Sequence, residues 1–289
     1  MPKPYDHAMR VRVGDVSLWF DVDGAGLVPD GPTMSERPTV LLLHGGPGFD
    51  HSLFKPDYGD RLRDVAQVVY LDHRANGRSD HGDKEKWRLD VWADDVRAFC
   101  DALEIEHPIV VGWSFGGMVA MAYAARHPDH PSKLIFQSTM AQLDVDRIAE
   151  GFRRVGGDEA GEAARGFWSG EPSPEAAMAF VTTCLPLYSP TPMPPDEGTR
   201  PQVNPELLMD PARYMQDMNL LPGLANVRCP TLVLAGEDDP ICTIEAMTDV
   251  VAALPAEHVQ FERIPKAGHF AHRDDPDRFF TVVREFVRA

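Results

Sequence analysis

The sequence predicts a doubly wound α/β fold: a mostly parallel eight-stranded sheet, antiparallel at its first edge, with a helical cap inserted. Three observations predict it. Continuous apolar runs at residues 39–43, 65–71, 109–111, 134–136, 231–234 and 259–264 suit strands covered on both faces. Between and after them, residues 87–103 place Trp87, Val91, Trp92, Val96 and Phe99 at helical spacing, residues 116–125 continue helix-like, and residues 277–287 close as an amphipathic helix. The alternation then fails between about residues 140 and 228, where helix-like segments follow one another without a strand. That stretch is the insert.

In chain order, residues 9–13 and 16–22 alternate apolar and polar side chains around Gly14-Asp15, the pattern of an antiparallel hairpin. A polar loop with Gly and Pro leads to the first central strand, and right-handed crossovers put helices on both faces of the sheet. Within the insert, residues 144–155, 158–168, 174–185 and 205–218 read as helices. Residues 185–202 carry Pro186, Pro190, Pro192, Pro194, Pro195 and Pro201, too many missing amide donors for a helix or a central strand. They form a loop, either a lid segment or a stiff connection. Residues 1–139 and 229–289 are thus expected to form the core, and residues 140–228 a cap.

Composition narrows the function. Against 28 Lys+Arg stand 45 Asp+Glu, a formal net charge of -17 that repels a polyanion such as nucleic acid. No apolar run reaches the about 18 residues of a membrane span, and residues 1–7 lack the apolar stretch of a secretory leader. Cys100, Cys184, Cys229 and Cys242 are scattered without a Cys-x-x-Cys pair. They are expected to be reduced, buried and without metal, as in a cytoplasmic protein. The sequence leaves the oligomeric state open.

The strongest chemical signal is Gly112-Trp113-Ser114-Phe115-Gly116-Gly117, an apolar strand running through Gly-x-Ser-x-Gly into a helix. A serine at that turn sits in strained backbone, and the following amide, Phe115, faces the same space at a helix N-terminus. Serine needs a base, and the base an acid. Ala267-Gly268-His269 follows the last strand, so His269 is the candidate base, with His272 the nearest rival and His44 and His73 structural. Glu237, Asp238 and Asp239 follow the strand 231–234. Asp239 is preferred because the residue before Pro240 is held extended. A second oxyanion donor is expected from His44-Gly45-Gly46-Pro47-Gly48, at Gly46 with Gly45 as the alternative; the Gly46-Pro47 bond is a candidate for cis.

Three blocks, His44-Gly45-Gly46-Pro47-Gly48, Asp72-His73-Arg74-Ala75-Asn76-Gly77-Arg78-Ser79 and Gly112-Trp113-Ser114-Phe115-Gly116-Gly117, resemble the α/β-hydrolases and, within them, the proline iminopeptidase group. The resemblance extends through residues 236–239 and Gly268-His269, and it departs from the group at His73, Ala75 and the elbow. It implies a serine hydrolase working through an acyl-enzyme, with no metal or organic cofactor. The expected partner is a small ester, lactone or amide, in a pocket lined by Trp113, Phe54, Trp168 and Tyr188. An aminopeptidase is one alternative, and would use a cap carboxylate among Glu150, Asp158, Glu159, Glu162, Glu171 and Glu175 for the substrate ammonium. A ligand-binding receptor on the same fold is the other.

Overall fold

The computed structural model describes residues 9–170, 172–192, 201–209 and 211–289. Its strands in chain order are β1 (Arg10–Val13), β2 (Val16–Asp23), β3 (Leu27–Asp30), β4 (Thr33–Glu36), β5 (Thr39–Leu43), β6 (Gln67–Leu71), β7 (Ile109–Trp113), β8 (Lys133–Gln137), β9 (Thr231–Gly236) and β10 (Val259–Ile264). Eight of them make one sheet, in the order β1-β2-β6-β5-β7-β8-β9-β10. The β1–β2 and β2–β6 pairs are antiparallel and the rest parallel. The expected architecture is therefore present, including the antiparallel edge turned at Gly14, whose φ is 54°.

Strand alternation sorts the core into two layers. Leu41, Leu43 and Val110 join the cluster on one face, while Val40, Leu42 and Val111 join the cluster on the other. The helices are α1 (Lys55–Leu62), α2 (Leu89–Ala102), α3 (Phe115–Arg126), α4 (Val145–Trp168), α5 (Pro174–Ala179), α6 (Pro205–Met209), α7 (Leu221–Leu224), α8 (Ile244–Ala253), α9 (Ala271–Asp274) and α10 (Pro276–Arg288). Every residue of α3 from Phe115 to Ala124 is buried, which explains its small Gly and Ala side chains. Helix α10 buries Phe279, Phe280, Val283 and Val287 on one face, as its periodicity requires.

The insert departs from the sequence expectation in detail. Residues 144–155 and 158–168 form the single run α4, broken at Gly157 (φ 80°, ψ −173°) and capped by the Asp144 carboxylate on the Arg147 amide. Helix α5 gives way to a π-turn at Phe180–Cys184 and a 3-10 turn at Leu185–Leu187. Pro186 is tolerated there because the first turn of a helix needs no amide donor from it. Residues 193–200 of the proline-rich segment, like residues 1–7 and Glu171, lie outside the described residues. The expected helix over 205–218 stops at Met209, and a 3-10 turn follows at Pro211–Tyr214. Three elements that gave no readable signal are the exposed four-residue strands β3 and β4, and α1, whose Gly59 and Asp-rich sequence hides the buried pair Tyr58 and Leu62.

A side chain at Gly116 would place Cβ 2.0 Å from the Leu43 carbonyl oxygen, whereas one at Gly157 would meet nothing within 4 Å. Gly116→Ala should therefore cost about 3 kcal/mol or more through backbone displacement, and Gly157→Ala less, about 1–3 kcal/mol from its positive-φ extended backbone alone. Urea unfolding of the two variants checks the order; equal losses would refute the close approach of β5 and α3.

Candidate active site

Strand β7 ends at Trp113, and Ser114 takes φ 54° and ψ −120° before α3 begins at Phe115. Such a conformation costs about 1–3 kcal/mol in a residue with a side chain and persists only where neighbours fix it. Here the Ser114 amide donates to the Gln137 carbonyl at 3.0 Å, and its own carbonyl accepts from the Gly117 amide at 2.9 Å and the Thr139 hydroxyl at 2.7 Å. The flanking glycines are required by space: a Cβ at Gly112 would lie 2.4 Å from the Gly116 carbonyl oxygen, and one at Gly117 2.5 Å from the Thr139 side chain.

Asp239 is wholly buried in the loop after β9. Its Oδ1 accepts from the Ile241 and Cys242 amides, both at 2.9 Å, and its Oδ2 from His269 Nδ1 at 2.9 Å. Asp238 is exposed and makes no such contact. The bond to Asp239 leaves Nε2 as the free nitrogen of the His269 ring, and Ser114 and His269 border the same cavity. The insert reaches this histidine directly. The His269 amide donates to the Tyr188 carbonyl at 2.6 Å, and the two rings meet edge to face at 5.2 Å.

His272 stands elsewhere. Its Nδ1 accepts from the Gln137 amide nitrogen at 2.7 Å, and Phe54, Tyr58 and Trp113 surround the ring. Burial drives its pKa well below the ordinary value of 6.5.

The Gly-rich turn after β5 packs against Ser114: a Cβ at Gly45 would be 3.3 Å from the Ser114 Cβ. His44 Nδ1 donates to the Gly45 carbonyl at 2.7 Å while its Nε2 accepts from the His73 amide at 3.3 Å. Both contacts need the neutral imidazole, and burial lowers the His44 pKa in keeping with that. In a trans peptide the C=O and N–H point oppositely, so the Gly46 N–H is turned away from His44. Among the described residues neither the Gly46 nor the Phe115 amide finds an acceptor. The Gly46–Pro47 bond is cis.

The second sequence block buttresses that turn, a role the sequence did not disclose. Asn76 Oδ1 accepts from the Gly48 amide at 2.6 Å, and Asp72 accepts from His51 Nδ1 at 2.7 Å and the Arg78 amide at 3.0 Å. Burial raises the Asp72 pKa, but the His51 bond and the further contacts outweigh it and hold the carboxyl below the usual range. Arg74 makes a buried bidentate pair with Asp95, at 2.7 and 2.8 Å.

The cavity over Ser114 measures about 360 Å³. Trp113, Trp168 and Tyr188 line it as expected, with Phe167, Phe180 and Met140 supplying wall that the sequence did not single out. Phe54 requires correction: it is wholly buried behind the wall, 4.8 Å from the Tyr58 ring and 5.4 Å from the Trp113 ring, and does not face the cavity. Its apolar size suited a pocket and a core equally, and the core took it. Among the described residues the lining has no Asp, Glu, Lys or Arg. Glu150, Asp158, Glu159, Glu162 and Glu175 are all exposed. The one potential metal-ligand group among the described residues is Asp239, Cys242 and His269, with ligand atoms within 4.8 Å of one another. Two of these already bond each other, and burial pushes the Cys242 thiol well up, away from the thiolate a soft metal needs.

Comparison with known proteins places the chain. The family model described as alpha/beta hydrolase fold matches residues 38–276. The AB hydrolase superfamily protein YisY of Bacillus subtilis is 26% identical over 267 residues, covering 86% of this chain and 91% of that protein. A proline iminopeptidase of Lactiplantibacillus plantarum is 25% identical over 287 residues, covering 90% and 95%. Among solved structures, a proline iminopeptidase of Mycobacterium smegmatis superposes with TM-score 0.73 at 23% identity over 97% of each chain. An esterase of Exiguobacterium antarcticum gives 0.73 at 17%, over 98% and 100%. At these identities the structural likeness speaks for the fold.

Two outcomes follow from the packing. Phe54→Ala should lose about 3–5 kcal/mol of unfolding free energy, read by denaturant titration; a near-neutral effect would place the ring outside the core. His44, His73 and His272 are buried with lowered pKa values, so below pH 6.5 the unfolded chain binds protons that the native one refuses. Stability is then full above pH 6.5 and falls as the pH drops, by at most about 1.4 kcal/mol per pH unit for each such histidine, until its native pKa is reached. His272→Gln should flatten the slope between pH 6.5 and 5 by that amount, and an unchanged slope would show that His272 is not held neutral.

Proposed function

The chain belongs to the α/β-hydrolase fold family, and from that premise we propose that it hydrolyses a small uncharged ester, lactone or amide through an acyl-enzyme on Ser114. The observation that carries the reading is the wholly buried Asp239 bonded to His269 Nδ1 at 2.9 Å, with His269 and the positive-φ Ser114 bordering one cavity. An acid that fixes a histidine tautomer beside a serine is what nucleophilic catalysis asks for.

The proposed steps use side chains and backbone amides of this chain, with water as the second reactant. Ser114 Oγ attacks the substrate carbonyl carbon while its proton passes to His269 Nε2. Asp239 holds the ring and stabilises the imidazolium. The Gly46 and Phe115 amides, unpaired among the described residues, donate to the developing oxyanion, aided by the positive end of α3. His44 acts through the Gly45–Gly46 peptide, which it orients. The imidazolium then gives its proton to the leaving oxygen or nitrogen, the carbon–heteroatom bond breaks, and Ser114 carries the acyl group. Water, deprotonated by His269, attacks the ester carbon; the bond to Ser114 Oγ breaks as that oxygen takes the proton back from His269, and the carboxylic acid leaves.

Residues 140–228 act as the cap, over a core of residues 1–139 and 229–289, and supply the apolar roof through Trp168, Phe180 and Tyr188. The four buried free thiols suit a cytoplasmic protein. An iminopeptidase, the name borne by several relatives, would need a carboxylate facing the substrate ammonium; the described lining offers none, and a naked ammonium in an apolar wall is costly. An uncharged carbonyl compound fits the lining better.

Ser114→Ala should lower turnover roughly a million-fold, and hydrolysis at an unchanged rate would exclude this serine. Asp239→Asn should cut kcat about 10⁴-fold by favouring the wrong tautomer, while Asp238→Asn stays within about twofold; the reverse order would reassign the acid. A panel of p-nitrophenyl esters, lactones and aminoacyl-naphthylamides, run on one preparation, tests the substrate class. Esters or lactones should lead, and preference for compounds with a free amino terminus would overturn the choice.

A further inference from the structure

We propose that the substrate bears an apolar arm longer than the cavity, and that this arm lies along a stripe of exposed side chains leading from the cavity to the cap surface. The inference rests on the hydrolase reading above and names the substrate class of that same site.

Among the described residues eight large apolar side chains are exposed: Leu27, Met34, Val155, Met178, Val181, Leu185, Val203 and Met209. Five of them fall between residues 178 and 209. Three of those five, Val181, Leu185 and Met209, are 47%, 45% and 46% exposed and also line the cavity that holds Ser114. Among the described residues, these three apolar side chains belong both to the wall of the cavity and to the exposed surface.

The helical run of α5, the π-turn and the 3-10 turn makes the stripe. Ala177, Phe180 and Cys184 face inward and are buried, while Met178, Val181 and Leu185, three and four residues apart, share the outer side. A solvent-facing helix side ordinarily carries charge. The Thr182 hydroxyl is turned back onto the Met178 and Ala179 carbonyls, at 2.9 and 3.2 Å, so it adds little polarity to the surface. A π-turn inside a helix is a recurrent mark of functional sites. Apolar surface kept in water at the mouth of an apolar cavity gains its burial when a ligand covers it.

The occupant is part of a small neutral molecule. The described lining carries no charge to meet an ionic group, and a chain of net charge -17 is repelled by an anionic lipid surface. An alkyl or aryl-alkyl chain on the acyl side of the scissile carbonyl suits this uncharged, apolar lining.

The test is a series of p-nitrophenyl esters from acetate to decanoate, kept below their micelle concentrations, with wild type, the double variant Val181→Ser/Leu185→Ser, and Met34→Ser as an exposed control on β4. The wild-type kcat/KM should rise roughly two- to fourfold per methylene through octanoate. The octanoate-to-acetate ratio should fall at least tenfold in the double variant and stay put in Met34→Ser. A wild-type rate that declines beyond butanoate, or a ratio unmoved in the double variant, overturns the proposal. So does a double variant that keeps the ratio on dissolved esters and loses activity only on esters carried in phosphatidylcholine vesicles, which assigns the stripe to a lipid surface. Failure of wild type on every chain length, together with inactivity on the lactones and amides of the panel above, is a different result, and refutes the hydrolase reading itself.

Discussion

The backbone of Ser114 is the constraint on which the rest of the site depends. A residue with a side chain at φ 54° stays there only because strand β7, strand β5 and helix α3 converge more closely than side chains permit. Gly112, Gly116 and Gly117 make that approach possible. Gln137 and Thr139 at the end of β8 then fix the Ser114 peptide groups from the other side. The strain is local and the compensation is spread over three strands. In the proposed mechanism the same turn supplies both the hydroxyl and a donor, since the Phe115 amide at the N-terminus of α3 has no acceptor among the described residues.

The remaining chemistry is arranged around that point by buried polar groups, each with its partners. Asp239 is locked by two backbone amides before it meets His269, so the imidazole is oriented by a group that itself has no freedom. On the opposite side, neutral His44 turns the Gly45–Gly46 peptide, and Asn76 ties the Gly48 amide to the block from Asp72 to Ser79. The insert is not an independent roof. Its Tyr188 carbonyl holds the His269 amide, and Gly268 must lack a side chain because a Cβ would lie 2.3 Å from that oxygen. Displacement of this cap segment would therefore be felt at His269.

The sheet was legible because strands buried on both faces leave continuous apolar runs, and the chain order of Ser114, Asp239 and His269 was legible because each follows a strand. Asp239 was preferred over Asp238 for the extended backbone before Pro240; what distinguishes it in space is the pair of amides from Ile241 and Cys242, which no sequence pattern displays. Phe54 was misread because apolar character does not tell a pocket wall from the layer behind it. Phe167, Phe180 and Met140 went unnoticed for the same reason, since their role depends on how α4 and the following turns fold over the sheet edge. Four-residue strands such as β3 and β4 bury no face, and so they leave no periodic trace.

The proposed chemistry turns on one bond: the oxygen of Ser114, activated by His269, must attack an electrophile. The most direct measurement is to treat the protein with a fluorophosphonate, digest it, and locate the adduct by mass spectrometry. One phosphonyl group on the Ser114 oxygen, formed with loss of fluoride and at least a thousandfold more slowly in His269→Ala, is the predicted result. An adduct on another residue, or equal labelling with and without the imidazole, would contradict it.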